Sequence, residues 1–219
     1  MDKKGRFADL PARCLALCVG LAIMAFGVAF SIKAALGTSP ISSVPYVAGV
    51  VSGLSVGTTT VFVNVLLVAL QILVLRRRFE LFKLLQIPAV VVFGVMIDLG
   101  GAALAPIRYS GYWQQWILCA AGIVLVALGV SVEVTADLVT TPGEGLVMAI
   151  CTVRPDLKFG NVKVAVDCSL VAVAVVLSLG FLGRLDGVRE GTVAAAICVG
   201  LLTKQFKKRL VPLEAALIR

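Results

Sequence analysis

The sequence has 219 residues, of which 60% are hydrophobic and only 15% charged, whereas about a quarter of the residues in soluble domains are charged. This composition excludes an ordinary soluble domain and predicts one integral membrane domain over residues 1–219. The formal net charge of +8 does not require a nucleic-acid partner, because membrane proteins collect Lys and Arg on their cytoplasmic side.

The chain has six cysteines and no histidine. The cysteines lie in or beside apolar stretches without a CxxC pair, so we expect no disulfide framework, no metal site and no cofactor. Without a metal-ligand cluster or a nucleophile elbow, we expect no enzymatic activity. Residues Met1 to Ala34 resemble a signal peptide, but the apolar run matches a later segment and has no clear cleavage site, which favours a retained first helix.

The apolar segments predict four helices in each half of the chain. The first half has spans at roughly 13–35, 57–75 and 84–104, and a short helix from Pro40 to near Gly53. A helix of roughly 13 residues covers about 20 Å, too little for a hydrocarbon core of about 30 Å. The second half has spans at roughly 114–136, 160–182 and 190–204. Its short helix begins at Pro142 and ends near Arg154.

The stretch from Gly27 to Pro40 recurs, 102 positions later, from Gly129 to Pro142. Both copies are apolar and end on the polar pattern T-[ST]-P, which does not match easily by chance. The repeats are therefore 13–104 and 114–204, and each contains a proline-marked break in an apolar region. Two such breaks in corresponding halves are typical of a transporter binding site.

The distribution of basic residues favours an inverted arrangement of the two repeats. If each short helix returns to the side from which the chain entered, each half has three spanning helices and 16 of the 20 basic residues lie inside. If the short helices cross fully, the split is 13 to 7, which fits the positive-inside rule less well. We therefore expect an all-α polytopic protein with two re-entrant half-membrane helices and with both termini in the cytoplasm.

With the two breaks identified, the chain resembles the YczE/YyaS/YitT-like family of bacterial inner-membrane proteins. The residues that carry the resemblance are Leu36–Pro40, Thr141–Leu146 and Gly191-Thr192. The resemblance implies a multi-pass protein of the bacterial inner membrane in a family of which some members are thought to transport or export small molecules. It supplies no substrate and no catalytic residue.

The two helix starts are the first candidate site. Backbone N–H groups at a helix start lack intrahelical partners, and the helix dipole adds partial positive charge there. If the tips face each other, they form a polar pocket suited to an anionic or strongly polar group. The alternative is that Ser39 and Thr141 only cap their helices, with Glu144 completing a capping box. The candidate substrate-binding residues are Thr38, Ser39, Pro40, Ser42, Thr140, Thr141, Pro142 and Glu144.

Ionisable residues in apolar segments are the second candidate site, because they are costly there unless they serve a function. Glu133 and Asp137 lie on one helix face, and they either form part of a coupling pathway or sit at a helix end in cytoplasmic water. Asn64 and Asp167 occupy corresponding positions and are candidates for the pathway, although Asp167 could instead pair with Lys163. Lys33 and Asp98 lie close to span ends, where they would snorkel or meet water.

Together these patterns predict a transporter for a small polar, anionic or amphoteric molecule, with the anionic group near the Thr38-Ser39-Pro40 tip and a cationic or donor group toward Glu144. The transporter would be secondary-active, because no nucleotide-binding motif occurs. A passive channel and a non-transporting scaffold or accessory protein remain alternatives. The expected partners are the substrate and the lipid bilayer, no nucleic acid is expected, and a homo-oligomer is left open.

Overall fold

The structure is a computed structural model that describes the backbone of residues 10–217 and the side chains of residues 10–210. These residues form α-helices and short helical turns without a strand. Lys3, Lys4, Arg6 and Arg219, which the charge argument assigned to the inside, lie outside the described residues. The helices are α1 (Leu10–Ala34), α2 (Pro40–Ser52), α3 (Val56–Leu75), α4 (Gln86–Leu104), α5 (Tyr112–Ala136), α6 (Pro142–Val153), α7 (Phe159–Leu177) and α8 (Glu190–Leu217).

Five of the described helices are long and apolar enough to cross a membrane, namely α1, α3, α4, α5 and α7 with their flanking turns. The protein is therefore an all-α multi-pass membrane protein. Two further apolar helices, α2 and α6, are short, as the sequence predicts. The predicted sixth span is part of α8, whose apolar stretch is confined between Glu190 and Lys204.

Helices α1 and α5 cross at the centre of the molecule, and glycines make the close approach possible. A Cβ added at Gly129 would lie 2.6 Å from the carbonyl oxygen of Gly20, and one added at Gly27 would lie 2.9 Å from that of Gly122. Small residues at a crossing allow two membrane helices to pack backbone against backbone. The four glycines are two pairs related by the repeat offset of 102 positions, so the two copies of one motif contact each other.

The remaining helices pack around this crossing in matching pairs. Helix α4 packs on α1, and its counterpart α8 packs on α5. Helix α2 packs on α7, while α6 packs on α3. The short helix of each half therefore packs both against a long helix of the other half and against its own neighbour in sequence.

The chain leaves α1 and α5 through equivalent turns. Ala35 and Asp137, which correspond in the repeat, both adopt a left-handed backbone conformation, with φ of 55° and 46°. An arginine distant in sequence binds each exposed helix end. Arg13 donates to the carbonyl oxygens of Ala136 at 2.9 Å and Asp137 at 2.6 Å, and Arg189 donates to the carbonyl oxygen of Ala35 at 3.1 Å.

Asp98 and Lys33 bind backbone groups rather than only meeting water near the span ends. The Asp98 carboxylate accepts hydrogen bonds from the backbone N–H of Gly57 at 2.8 Å and the Ser55 hydroxyl at 2.6 Å. It therefore satisfies a free N–H at the start of α3, where a negative charge is also favoured by the helix dipole. Lys33, at an exposed position, donates to the carbonyl oxygen of Ala105 at 3.1 Å.

Candidate functional site

A cavity of about 300 Å³ lies between the two halves of the described chain. Long helices supply its apolar walls and the two short helices supply their N-terminal residues. The polar and ionisable lining residues are Ser39, Ser42, Asn64, Gln86, Glu133, Thr140, Thr141, Glu144, Lys163, Asp167 and Thr203. Nearly all the residues that sequence reasoning singled out for a site therefore border one cavity.

The two proline-marked breaks meet at this cavity. Residues 39–42 from the first break and 139–142 from the second both line it. The Ile41 side chain packs directly against Gly143, and a Cβ added at Gly143 would collide with it. These positions correspond in the repeat, so the tip of α2 contacts the tip of α6 and both open into the same space.

The hydroxyl groups at the two tips are not used as helix caps. Ser39 and Thr141 occupy the N-cap positions of α2 and α6 with extended backbone, but neither side chain caps its helix with a hydrogen bond. Ser39 instead donates to the Ser42 hydroxyl at 3.1 Å. The expectation that the side chains of Ser39 and Thr141 cap their helices, and that Glu144 completes a capping box, is therefore wrong.

Thr38 and Asp137 stand apart from the cavity. Thr38 is buried, and its backbone N–H donates to the carbonyl oxygen of Gly187 at 3.1 Å, so it anchors the break to the loop before α8. The Asp137 carboxylate accepts from Arg13 at 3.1 Å, and its side chain is 59% exposed. Neither side chain lines the space where the other candidates gather.

Glu133 differs from Asp137 because it is enclosed. It is 3% exposed, it lines the cavity, and its Oε2 atom has no hydrogen-bond partner among the described residues. The interpretation of Glu133 as an acid in cytoplasmic water is therefore wrong. Its carboxyl group lies beside the backbone of Thr141, and Glu144 lines the same cavity.

The other ionisable lining residues form a pair. Lys163 donates to the Asp167 carboxylate at 2.9 Å within α7, as the four-residue spacing predicts. Asn64, the counterpart of Asp167, also lines the cavity, and its side-chain amide donates to the carbonyl oxygen of Thr60 at 2.8 Å. Both predicted pathway positions therefore border the space between the two tips.

The family of unknown function DUF6198 matches residues 11–208. The chain belongs to the DUF6198 family.

Two relatives come from Bacillus subtilis (strain 168). The uncharacterized membrane protein YczE is 30% identical over 186 residues, which is 84% of this chain and 80% of the relative. The uncharacterized protein YyaS is 26% identical over 133 residues, which is 60% of this chain and 65% of the relative. The resemblance derived from the two breaks is thus confirmed. No solved structure matches the chain at a significant level.

In this member of the DUF6198 family, a pair of glutamines holds the tip of α6. The Gln71 side-chain amide donates to the Gln86 side-chain oxygen and to the carbonyl oxygen of Pro142, both at 3.0 Å. Gln71 is 0% exposed and Gln86 is 2% exposed. Sequence reasoning missed both residues, although an amide in the apolar run of α3 was a signal, because polar groups inside a membrane must find partners.

One wall of the cavity in this DUF6198 chain is thin. Val164 on α7, and Ala196 and Gly200 on α8, line the cavity and are also exposed on the surface of the molecule. A Cβ added at Gly200 would meet nothing within 4 Å. At the boundary between α7 and α8, the residues that line the cavity are therefore also part of the surface of the molecule.

Proposed function

We propose that the chain is a secondary-active transporter of a small polar or amphoteric molecule, and that the cavity between the tips of α2 and α6 is its substrate site. The observation that carries this proposal is the meeting of both uncapped tips at one cavity. Each helix start contributes roughly half a unit of positive charge, and the hydroxyls of Ser39 and Thr141 border the cavity without capping their helices.

The proposal includes inverted repeats, with α2 and α6 as re-entrant helices. The matched helix pairs and the matched left-handed turns at Ala35 and Asp137 support it. So does the position of Arg76–Arg78 after α3 and of Arg154 after α6, since both lie on the cytoplasmic side in this arrangement. We propose the bacterial inner membrane as the location, with both termini in the cytoplasm.

Labelling tests this orientation. In a cysteine-free background, Arg77→Cys is expected to react with a membrane-impermeant maleimide only in inside-out vesicles, because Arg77 follows α3 on the cytoplasmic side. Arg184→Cys, in the loop before α8, serves as the matched control and is expected to react only in intact spheroplasts. Labelling of both positions from the same side would contradict the inverted arrangement.

Ligand binding tests the transport function. Purified protein in detergent is screened by thermal shift against metabolites and drugs, and each hit is then tested for flux in proteoliposomes. We expect hits whose stabilisation is lost when Ser39 and Thr141 are both changed to Ala, because both hydroxyls border the cavity and would bind the ligand. The matched control is Ser52→Ala, which removes an exposed hydroxyl at the far end of α2.

Two results would count against this function. Hits that bind but produce no flux would favour a non-transporting scaffold or accessory protein. Flux that is insensitive to the double change at the tips would move the substrate site away from this cavity.

A further inference from the structure

The charged residues of the cavity are unequally distributed between the two halves. Those that line it are Glu133 on α5, Glu144 on α6, and Lys163 and Asp167 on α7, while α1, α2, α3, α4 and α8 contribute no charged lining residue among those described. Lys163 is bound to Asp167 and also acts on the charge of Glu144, so three acids share one basic residue among the described lining residues, and Glu133 has no basic partner of its own.

The acids occur only at the second tip. Ser31 and Ser42 occupy the positions in the first repeat that correspond to Glu133 and Glu144. Glu133 lies beside the backbone of Thr141, so the partial positive charge of α6 is already opposed by a carboxyl group of the protein. At the first tip, Ser39 and Ser42 bind each other and no acid lines the cavity. The two ends of the cavity therefore favour opposite charges.

We propose that Glu133 and Glu144 form a binding site for the cationic group of an amphiphilic substrate, and that a proton and this cation occupy the acid pair in alternation. Two carboxyl groups that share one enclosed site cannot both remain ionised without a counter-ion. The unpartnered Oε2 of Glu133 supports a ligand that donates a hydrogen bond here, because a buried acceptor without a donor is costly. An ammonium group supplies the missing donors and the missing charge.

The rest of the cavity defines the body of this substrate. Apolar side chains line the same cavity as the two acids, among them Leu17, Leu21, Met24, Phe93, Val126 and Val130. A fully polar cation would lose its hydration against these side chains without compensation, whereas an apolar body gains from contact with them. The substrate class is therefore an organic ammonium with an apolar ring or chain. An anionic group on the same molecule would face the Ser39-Pro40 tip.

The alternation of proton and cation at the acid pair couples transport of the cation to transport of a proton. When an ammonium group binds the acid pair, one proton leaves a carboxyl group for the solvent, and when a proton returns, the ammonium is released. No bond other than O–H is broken or formed, and charge is conserved at the site. Exchange of one cation for one proton then drives transport in either direction, as the two gradients dictate.

The cation site depends on the proposed transporter function only for its transport step. The binding of the cation is measured independently of transport. The probes are phenethylammonium, phenethyl alcohol and 3-phenylpropionate, which share a ring and differ in charge. We expect phenethylammonium to bind the purified protein about tenfold or more tightly than phenethyl alcohol, because charge-assisted hydrogen bonds are the stronger ones. In a weakly buffered solution, its binding is expected to release about one proton per cation, because the proton and the cation occupy the acid pair in alternation.

Variants locate the site. Glu133→Gln is expected to remove both the preference for the ammonium and the proton release, and Glu144→Gln to weaken the preference. Glu80→Gln, at an exposed position before α4, is the matched control and is expected to change neither. If Glu133→Gln does not fold, the wild-type comparison of the three probes and the proton count decide the question alone.

The outcomes separate the two proposals. Equal binding of the three probes, tighter binding of 3-phenylpropionate, or binding without proton release would overturn the cation site. Retention of the preference in Glu133→Gln would do the same. Proton-linked ammonium binding without flux in proteoliposomes would leave the site in place and refute transport, whereas proton-independent flux of a different molecule would leave transport in place and refute the site.

Discussion

Replacement of Gly129 by Leu is expected to abolish the recovery of folded protein. A Cβ at this position would lie 2.6 Å from the Gly20 carbonyl oxygen and 2.7 Å from the Met24 Cβ. Backbone atoms cannot rotate away as a side chain can, so α1 and α5 would have to separate along their whole crossing. Overpacking of a core typically costs about 1–3 kcal/mol, and the loss here is expected to exceed that range.

The measurement is the monodisperse fraction of detergent-extracted protein, with the melting temperature of whatever is recovered. Gly27→Leu is expected to behave like Gly129→Leu, because Gly27 lies at the other end of the same crossing. Gly101→Leu is the matched control, since a Cβ at Gly101 would meet nothing within 4 Å. Normal yield and melting temperature for Gly129→Leu would show that the two helices do not cross at these glycines.

A disulfide between the two short helices α2 and α6 is the second result expected to be large. In a cysteine-free background, Ile41→Cys combined with Gly143→Cys is expected to cross-link nearly completely under mild oxidation. The Ile41 Cγ1 atom lies 3.1 Å from a Cβ built at Gly143, which brings the two β-carbons close to the separation of about 4 Å that a disulfide needs. Such a bond would fix the two tips against each other.

Protease cleavage between the halves, followed by electrophoresis with and without reductant, detects this bond. Ile41→Cys with Gly160→Cys is the matched control, because a Cβ at Gly160 would meet nothing within 4 Å. If transport requires the tips to separate, oxidation is expected to stop flux in proteoliposomes and reduction to restore it. Failure of positions 41 and 143 to react would show that the tips of α2 and α6 do not meet.

The helices were predictable because their signals are local. Apolar length marks the spans, and Pro40 and Pro142 set the first turns of α2 and α6 where the sequence indicates. The repeat offset also relates features that only the structure shows, such as the matched left-handed turns at Ala35 and Asp137. The start of α5 was predicted slightly late, at roughly residue 114, whereas the helix begins at Tyr112.

The candidate site was predictable only in part. Proline and hydroxyl residues identified the tips, but hydrophobic periodicity could not show that Ile41 packs on Gly143 or that Arg13 binds the end of α5. These contacts join residues more than a hundred positions apart. Sequence spacing also treated Glu133 and Asp137 alike, since both lie on one helix face. Only tertiary packing separates an acid enclosed in the cavity from an acid paired with Arg13.

The thin wall between α7 and α8 affects how affinity is measured. A hydrophobic ammonium compound concentrates in the bilayer, and in the proposed membrane arrangement Val164, Ala196 and Gly200 lie between the cavity and that phase. The concentration that governs occupancy is then the concentration in lipid, so the apparent Kd falls as the partition coefficient rises. Homologous compounds with lengthening alkyl chains would gain potency in vesicles in proportion to their lipid solubility, and they would lose part of this gain in detergent, where the micelle dilutes them.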